Sequence, residues 1–252
     1  MFPVHTVEDT SMFLIQHPCE FSSLAYLFGC TGKGRAMAVD VHLDDVDTFV
    51  EMAEEKGVDI CFVFDTHVHA DHKTGGPELA KRTGAEYVLH ESAPVKHPFR
   101  GVAHDEHLEL GNVSAQVLHT PGHTDDSLCL LVTDHSRTDE PWFLVTGHTL
   151  FPGGVGRPDL HGREREMAEK LYDSLYGPIL SLPDHIEILA GAQAGSVCGG
   201  GISGKPMSSL GFEKRHNKGL IRERCNFVET IASIELPPVE EMKAFYTFNT
   251  GA

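Results

Sequence analysis

The sequence predicts an α/β fold in one domain, with two mixed sheets sandwiched between helices in αββα order. Short apolar runs rich in β-forming residues recur along the chain, and stretches with apolar residues at helical spacing fall between them. No internal repeat or low-complexity linker interrupts the 252 residues, a length that can bury a sizeable core.

From the N-terminus, Met12–Ile15, Ala25–Phe28 and Ala36–Val39 read as strands of a meander separated by glycines, with Asp40 closing the third. Asp44 to Lys56 carries Val46, Phe49, Val50 and Ala53 on one helical face and stops at Gly57. Ile60–Phe64 is the next strand, Pro77–Thr83 a short helix ended by Gly84, and Glu86–His90 a strand. His97, His104 and His107 lie in a polar stretch and are assigned to the surface. The Gly111-Asn112 turn precedes a half-buried strand, Val113–His119. Ser127–Val132 and Trp142–Val145 follow as strands, then a helix from Glu164 to Tyr176 with Met167, Leu171 and Leu175 turned inward, and a last strand, Ile186–Leu189. Residues 211–252 read as a helical C-terminal extension.

The formal charge of -17 argues against nucleic acid or an anionic membrane as a partner, since both would repel the chain. Six scattered cysteines with no CxxC pair fit a reducing compartment. Met1–His5 lacks a basic segment leading into an apolar core, so a soluble, cytoplasmic protein is expected.

Thr66-His67-Val68-His69-Ala70-Asp71-His72 follows the Ile60 strand directly and packs three imidazoles and a carboxylate into a few residues. In extended backbone His67 and His69 project to the same side, close enough to share a cation, while Asp71 and His72 can face a second position. Neutral imidazole is the commonest metal donor near neutral pH, so metal binding outweighs a merely solvated loop. His123 follows the Val113 strand and His148 the Trp142 strand, and each is aimed toward the same loop.

This HxHxDH run, with Thr120-Pro121-Gly122-His123-Thr124 and Thr146-Gly147-His148-Thr149-Leu150-Phe151 after it, resembles the metallo-β-lactamase superfamily over nearly the whole chain. Gly156-Arg157-Pro158-Asp159-Leu160, Gly195-Ser196-Val197-Cys198-Gly199, Leu210–Glu213 and Asn217 are similar to the persulfide dioxygenase branch. The resemblance implies the metallo-β-lactamase αββα sandwich. It also implies oxidation of a low-molecular-weight thiol persulfide, such as glutathione persulfide, by dioxygen to sulfite and thiol, with any sulfurtransferase partner acting in trans. A homo-oligomer is compatible with it.

In the superfamily's dinuclear hydrolases the first position is held by the counterparts of His67, His69 and His123. The second is held by those of Asp71, His72 and a later His, and a carboxylate bridges the two. Here the bridging carboxylate's place is taken by His148 and the later His by Gln193. Imidazole cannot bridge two cations through two oxygens, and an amide oxygen is a weak ligand for zinc or iron, so one metal is the better expectation. By motif, His67, His123 and His148 would hold a single Fe(II). His69 is left between ligation and hydrogen bonding, and Asp71 and His72 would orient ligands or bound water. Arg157 is assigned either to a substrate carboxylate or to an ion pair with Asp159. Cys198 is assigned a structural thiol in a mobile, glycine-rich segment near the pocket mouth, ahead of a reactive one. The alternatives are a Zn2+-dependent thioester or lactone hydrolase of the glyoxalase II type, and a metal-binding homologue of weakened catalysis.

Overall fold

The structure, a computed structural model, describes residues 12–159, 162–234 and 240–251. Met1–His5 and Leu160, used above, lie outside the described residues. The first sheet contains β1 (Met12–Pro18), β2 (Leu24–Cys30), β3 (Arg35–Val39), β4 (Asp59–Phe64), β5 (Glu86–His90) and β6 (Arg100–Val102), side by side in sequence order. β1 to β3 pair antiparallel, whereas β3 to β6 pair in parallel, so the sheet is mixed. The parallel pairs need crossovers: α1 (Val46–Lys56) lies between β3 and β4, α2 (Gly76–Thr83) between β4 and β5, and residues 91–99, without a helix, between β5 and β6.

The second sheet begins with β7 (His107–Leu110), β8 (Val113–His119), β9 (Leu128–Asp134) and β10 (Phe143–Gly147). A small hairpin, β11 (Leu150–Phe151) with β12 (Gly154–Val155), and α3 (Glu164–Ser174) then lead to β13 (Glu187–Ala190), parallel to β10, and to β14 (Met207–Ser209) on the edge. Three helices complete the described chain: α4 (Leu210–His216), α5 (Arg224–Ala232) and α6 (Glu240–Thr250).

Three apolar layers hold the four-layer sandwich together. Leu24, Tyr26, Phe28, Val39 and Phe64 of the first sheet meet Val113, Val117, Leu130 and Val145 of the second in the central layer. Ala25, Leu27, Ala38 and Val63 alternate to the opposite face and pack under Phe49 and Leu79 of α1 and α2. On the far side Leu131, Leu144 and Ile188 pack under Leu171 of α3 and Phe227 of α5. Because both faces of both sheets are covered, the strands read as continuous apolar runs. Among the described residues no helix is long and apolar enough to cross a membrane.

The expected elements are present with small shifts at their ends. β6, β7 and β14 carry too few apolar residues to stand out by pattern. His104 and His107 are exposed, but His97 is half-buried, its ring lying 5.5 Å from that of Tyr87. The correction follows from Tyr87 being buried and needing a cover on that side.

Candidate metal centre

The loop leaving β4 is fixed by its backbone before any metal is considered. Asp40, at the end of β3, adopts a left-handed conformation (φ 54°) and turns its carboxylate under the loop. There it accepts the Thr66 N–H (2.7 Å), the Thr66 hydroxyl (2.9 Å) and His69 Nε2–H (3.0 Å). Asp126 accepts the Val68 N–H at 2.8 Å. Gly147, at φ 48°, lets β10 approach this loop, since a Cβ there would lie 2.5 Å from Thr66 Oγ1.

These bonds fix tautomers. The Thr66 hydroxyl gives its proton to Asp40, so it accepts from His67 Nδ1–H at 3.0 Å, and the lone pair of His67 is on Nε2. His123 Nδ1 lies 2.9 Å from the Arg157 carbonyl, which only accepts, so His123 also carries its lone pair on Nε2. His72 Nδ1 donates to Asp71 Oδ1 at 3.1 Å, leaving Nε2. His67 and His123 are thus each oriented by a donor bond on the side away from the site, the usual support of a metal-ligating imidazole, whereas His72 is oriented by Asp71 within the loop.

His67, His123 and His148 come together: their ligand nitrogens lie within 4.8 Å of one another, all buried. His148 Nδ1 faces His123 Nε2 at 3.3 Å. Burial, followed by the neighbouring imidazoles, drives His67 and His123 well below their ordinary value, and burial lowers His148 against the pull of Asp71. All three are therefore neutral and able to donate.

His69, Asp71 and His72 form a second buried grouping whose donors also lie within 4.8 Å of one another. His69 differs from the other rings. Burial disfavours its charge, but Asp40 and Asp71 outweigh that and raise it well above its ordinary value, so ligation through Nδ1 requires a proton to leave. Burial likewise opposes the ionised form of Asp71, yet His72 and His148 hold it well below the usual carboxylate range. His148 Nε2, 3.9 Å from Asp71 Oδ2, stands between the two groupings.

The donor set fits a metal. His67 Nε2, His69 Nδ1 and His72 Nε2 are buried and have no hydrogen-bond partner among the described residues. An orphaned buried polar atom costs about 1–3 kcal/mol, and a cation held by His67, His123 and His148 would give the His67 lone pair its partner.

Two expectations change with the structure. Arg157 is buried, and its fork goes to Asp159 (2.6 and 2.7 Å) while its remaining amine donates to the Val197 carbonyl at 2.9 Å. Of its two assigned roles the geometry is that of the ion pair, and the Arg157 carbonyl adds one with no counterpart in the sequence pattern, orienting His123. Cys198 is 1 % exposed rather than at a mobile mouth, with its sulfur within 4.8 Å of donors on Asp71 and His148. Burial and then Asp71 push the thiol well up, so it stays protonated. Gln193 is half-buried, its N–H donating to the Ser22 carbonyl at 2.9 Å.

No family model matches the chain. Solved structures do, among them a metallo-β-lactamase from Staphylococcus aureus, 30% identical with a TM-score of 0.89 over 95% of this chain and 72% of that one, and ETHE1 from Myxococcus xanthus, 31% identical with a TM-score of 0.82 over 94% and 98%. The chain belongs to the metallo-β-lactamase superfamily. Within that superfamily, a hydroxyacylglutathione hydrolase from Polaromonas is 32% identical over 68% of this chain and 62% of its own length. The human mitochondrial persulfide dioxygenase ETHE1 is 25% identical over 89% of this chain and 80% of its own. This chain thus spans less than two thirds of the hydrolase.

Asp40, Asp126 and Asn249 hold the superfamily's metal loop from outside the HxHxDH run, and sequence reading missed them as site residues. The only sequence signal was Asp40, a lone acid closing an apolar strand. Asp40→Asn, which weakens the acceptor shared by Thr66 and His69, is expected to lower metal affinity about 10–100-fold, as measured by competition with a chelator.

Proposed function

We propose that this protein is a mononuclear iron persulfide dioxygenase, oxidising the outer sulfur of a small thiol persulfide to sulfite with release of the thiol. The observation that carries the reading is the convergence of three buried imidazoles, His67, His123 and His148; by motif, Gln193 stands in the place of the second position's later His. The similarity to a persulfide dioxygenase, longer than that to the hydrolase, supports it.

Fe(II) at such a three-nitrogen face would supply open positions and redox chemistry for dioxygen and sulfur. The chain's own part is to hold the three lone pairs in place through Thr66 and the Arg157 carbonyl. Three neutral ligands leave the centre one charge more positive than a set with a carboxylate in place of one imidazole would, which favours an anionic persulfide. Asp71, ionised and bonded to Ser23 Oγ at 3.1 Å and to His72, flanks that position and orients water or the leaving thiol. The deep burial of the ligands excludes bulk water.

A zinc thioester hydrolase is the second reading, favoured by the closeness of the His69, Asp71 and His72 donors and disfavoured by His148 and Gln193 in place of its bridging carboxylate and later His. Oxygen uptake and sulfite release with glutathione persulfide, run beside cleavage of S-lactoylglutathione, separates the two. Uptake with negligible thioester cleavage is expected, and cleavage without uptake would replace the proposal with the hydrolase.

A further inference from the structure

Asn249, in the last turn of α6, is 3 % exposed and lies on the outer side of the metal loop. Its Nδ2 donates to the carbonyls of His69 and His72, each at 2.8 Å, and its Oδ1 accepts the Thr74 N–H at 2.9 Å. The side-chain orientation is not arbitrary. Two carbonyls need a donor and one N–H needs an acceptor, so a flipped amide would lose all three bonds.

Around it, α6 is tied to the same region from several sides. Lys96 N–H donates to the Thr250 carbonyl at 3.0 Å, and Lys73 sits over the Phe248 ring at 5.3 Å. Phe245 meets Phe21 at 5.8 Å, in the segment whose Ser23 bonds Asp71. Tyr246 packs against the apolar layer under the first sheet. Helix and loop are about 180 residues apart in sequence, and Asn249 joins them by hydrogen bonds to the loop backbone.

We infer that Asn249 is a positioning residue that makes metal retention depend on the docking of α6. Through two carbonyls and one amide it fixes the backbone at His69, His72 and Thr74 and so the spacing between the two donor groupings. With the amide removed, two buried carbonyls and an N–H lose their partners, and the loop relaxes toward other geometries. Metal is then released faster, although no ligand has been changed. The inference rests on the reading that this loop holds a metal, and it goes beyond that reading by assigning the C-terminal helix a part in the site.

The test uses the full chain loaded with Co(II) as a spectroscopic probe, comparing Asn249→Ala, Asn249→Asp and Val228→Ala. Asn249→Asp keeps the acceptor for Thr74 but loses both donors, whereas Val228→Ala removes core volume from α5, in the apolar layer under the second sheet. Asn249→Ala and Asn249→Asp are expected to release Co(II) to a chelator at least about tenfold faster than the parent and to change its visible ligand-field spectrum. Val228→Ala should lower the melting temperature of the metal-free protein while keeping the parent spectrum. Release rates and spectra of both Asn249 variants equal to the parent's would overturn the inference, as would a spectral change in Val228→Ala matching theirs. A parent chain that binds no Co(II) would instead remove the metal reading beneath it.

Discussion

His123→Ala is expected to yield folded protein that retains no metal through gel filtration, whereas Cys198→Ser retains it at the parent level. His123 supplies a buried neutral nitrogen whose proton is held on the far side by the Arg157 carbonyl, so its lone pair is aimed at the site. Removing one of three nitrogen donors costs the site a full ligand bond, and an affinity loss of at least about 100-fold exceeds even the effect of losing an outer partner. Cys198 has its sulfur near Asp71 and His148 but lies outside the three-imidazole grouping, and burial pushes its thiol up. Metal content by elemental analysis of the two variants, with far-UV circular dichroism to verify folding, checks the prediction. Equal loss in both would make the cysteine part of the centre.

His148→Asp is the second large effect, and it runs the other way: iron affinity or turnover is expected to rise about tenfold or more. A carboxylate at this position adds a negative charge to the ligand set, and attraction to a dication in a buried site greatly exceeds that of a neutral ring. The space is available, because an aspartate side chain is smaller than the imidazole it would replace. The cost is repulsion from Asp71, whose Oδ2 is already 3.9 Å from His148 Nε2. Iron content and persulfide oxidation rate measured side by side decide the sign. A fall in both would show that the imidazole is the adapted ligand and that Asp71 tolerates no second anion beside it.

The sheets and the two crossover helices were legible because each obeys one period. β2 is apolar at nearly every position, as a doubly covered strand must be, and α1 shows Val46, Phe49 and Ala53 at helical spacing before Gly57 in the left-handed cap. The edge strands β6 and β14 were not, because three residues with one covered face carry almost no pattern. In the site, the ligand histidines were legible because their spacing is local or their motifs are short. Asp40, Asp126 and Asn249 were not, because each acts through a single hydrogen-bonding group on residues far away in sequence. Arg157 divided between the two: its pairing with Asp159 follows from proximity in sequence, but the use of its backbone carbonyl does not.

The central claim, a single cation held by three imidazoles, is tested most directly by anomalous scattering from crystals of protein purified without added metal. The predicted result is one peak per chain, at iron's absorption edge, within bonding distance of His67 Nε2, His123 Nε2 and a nitrogen of His148. Two peaks side by side, the second held by Asp71 and His72, would contradict it.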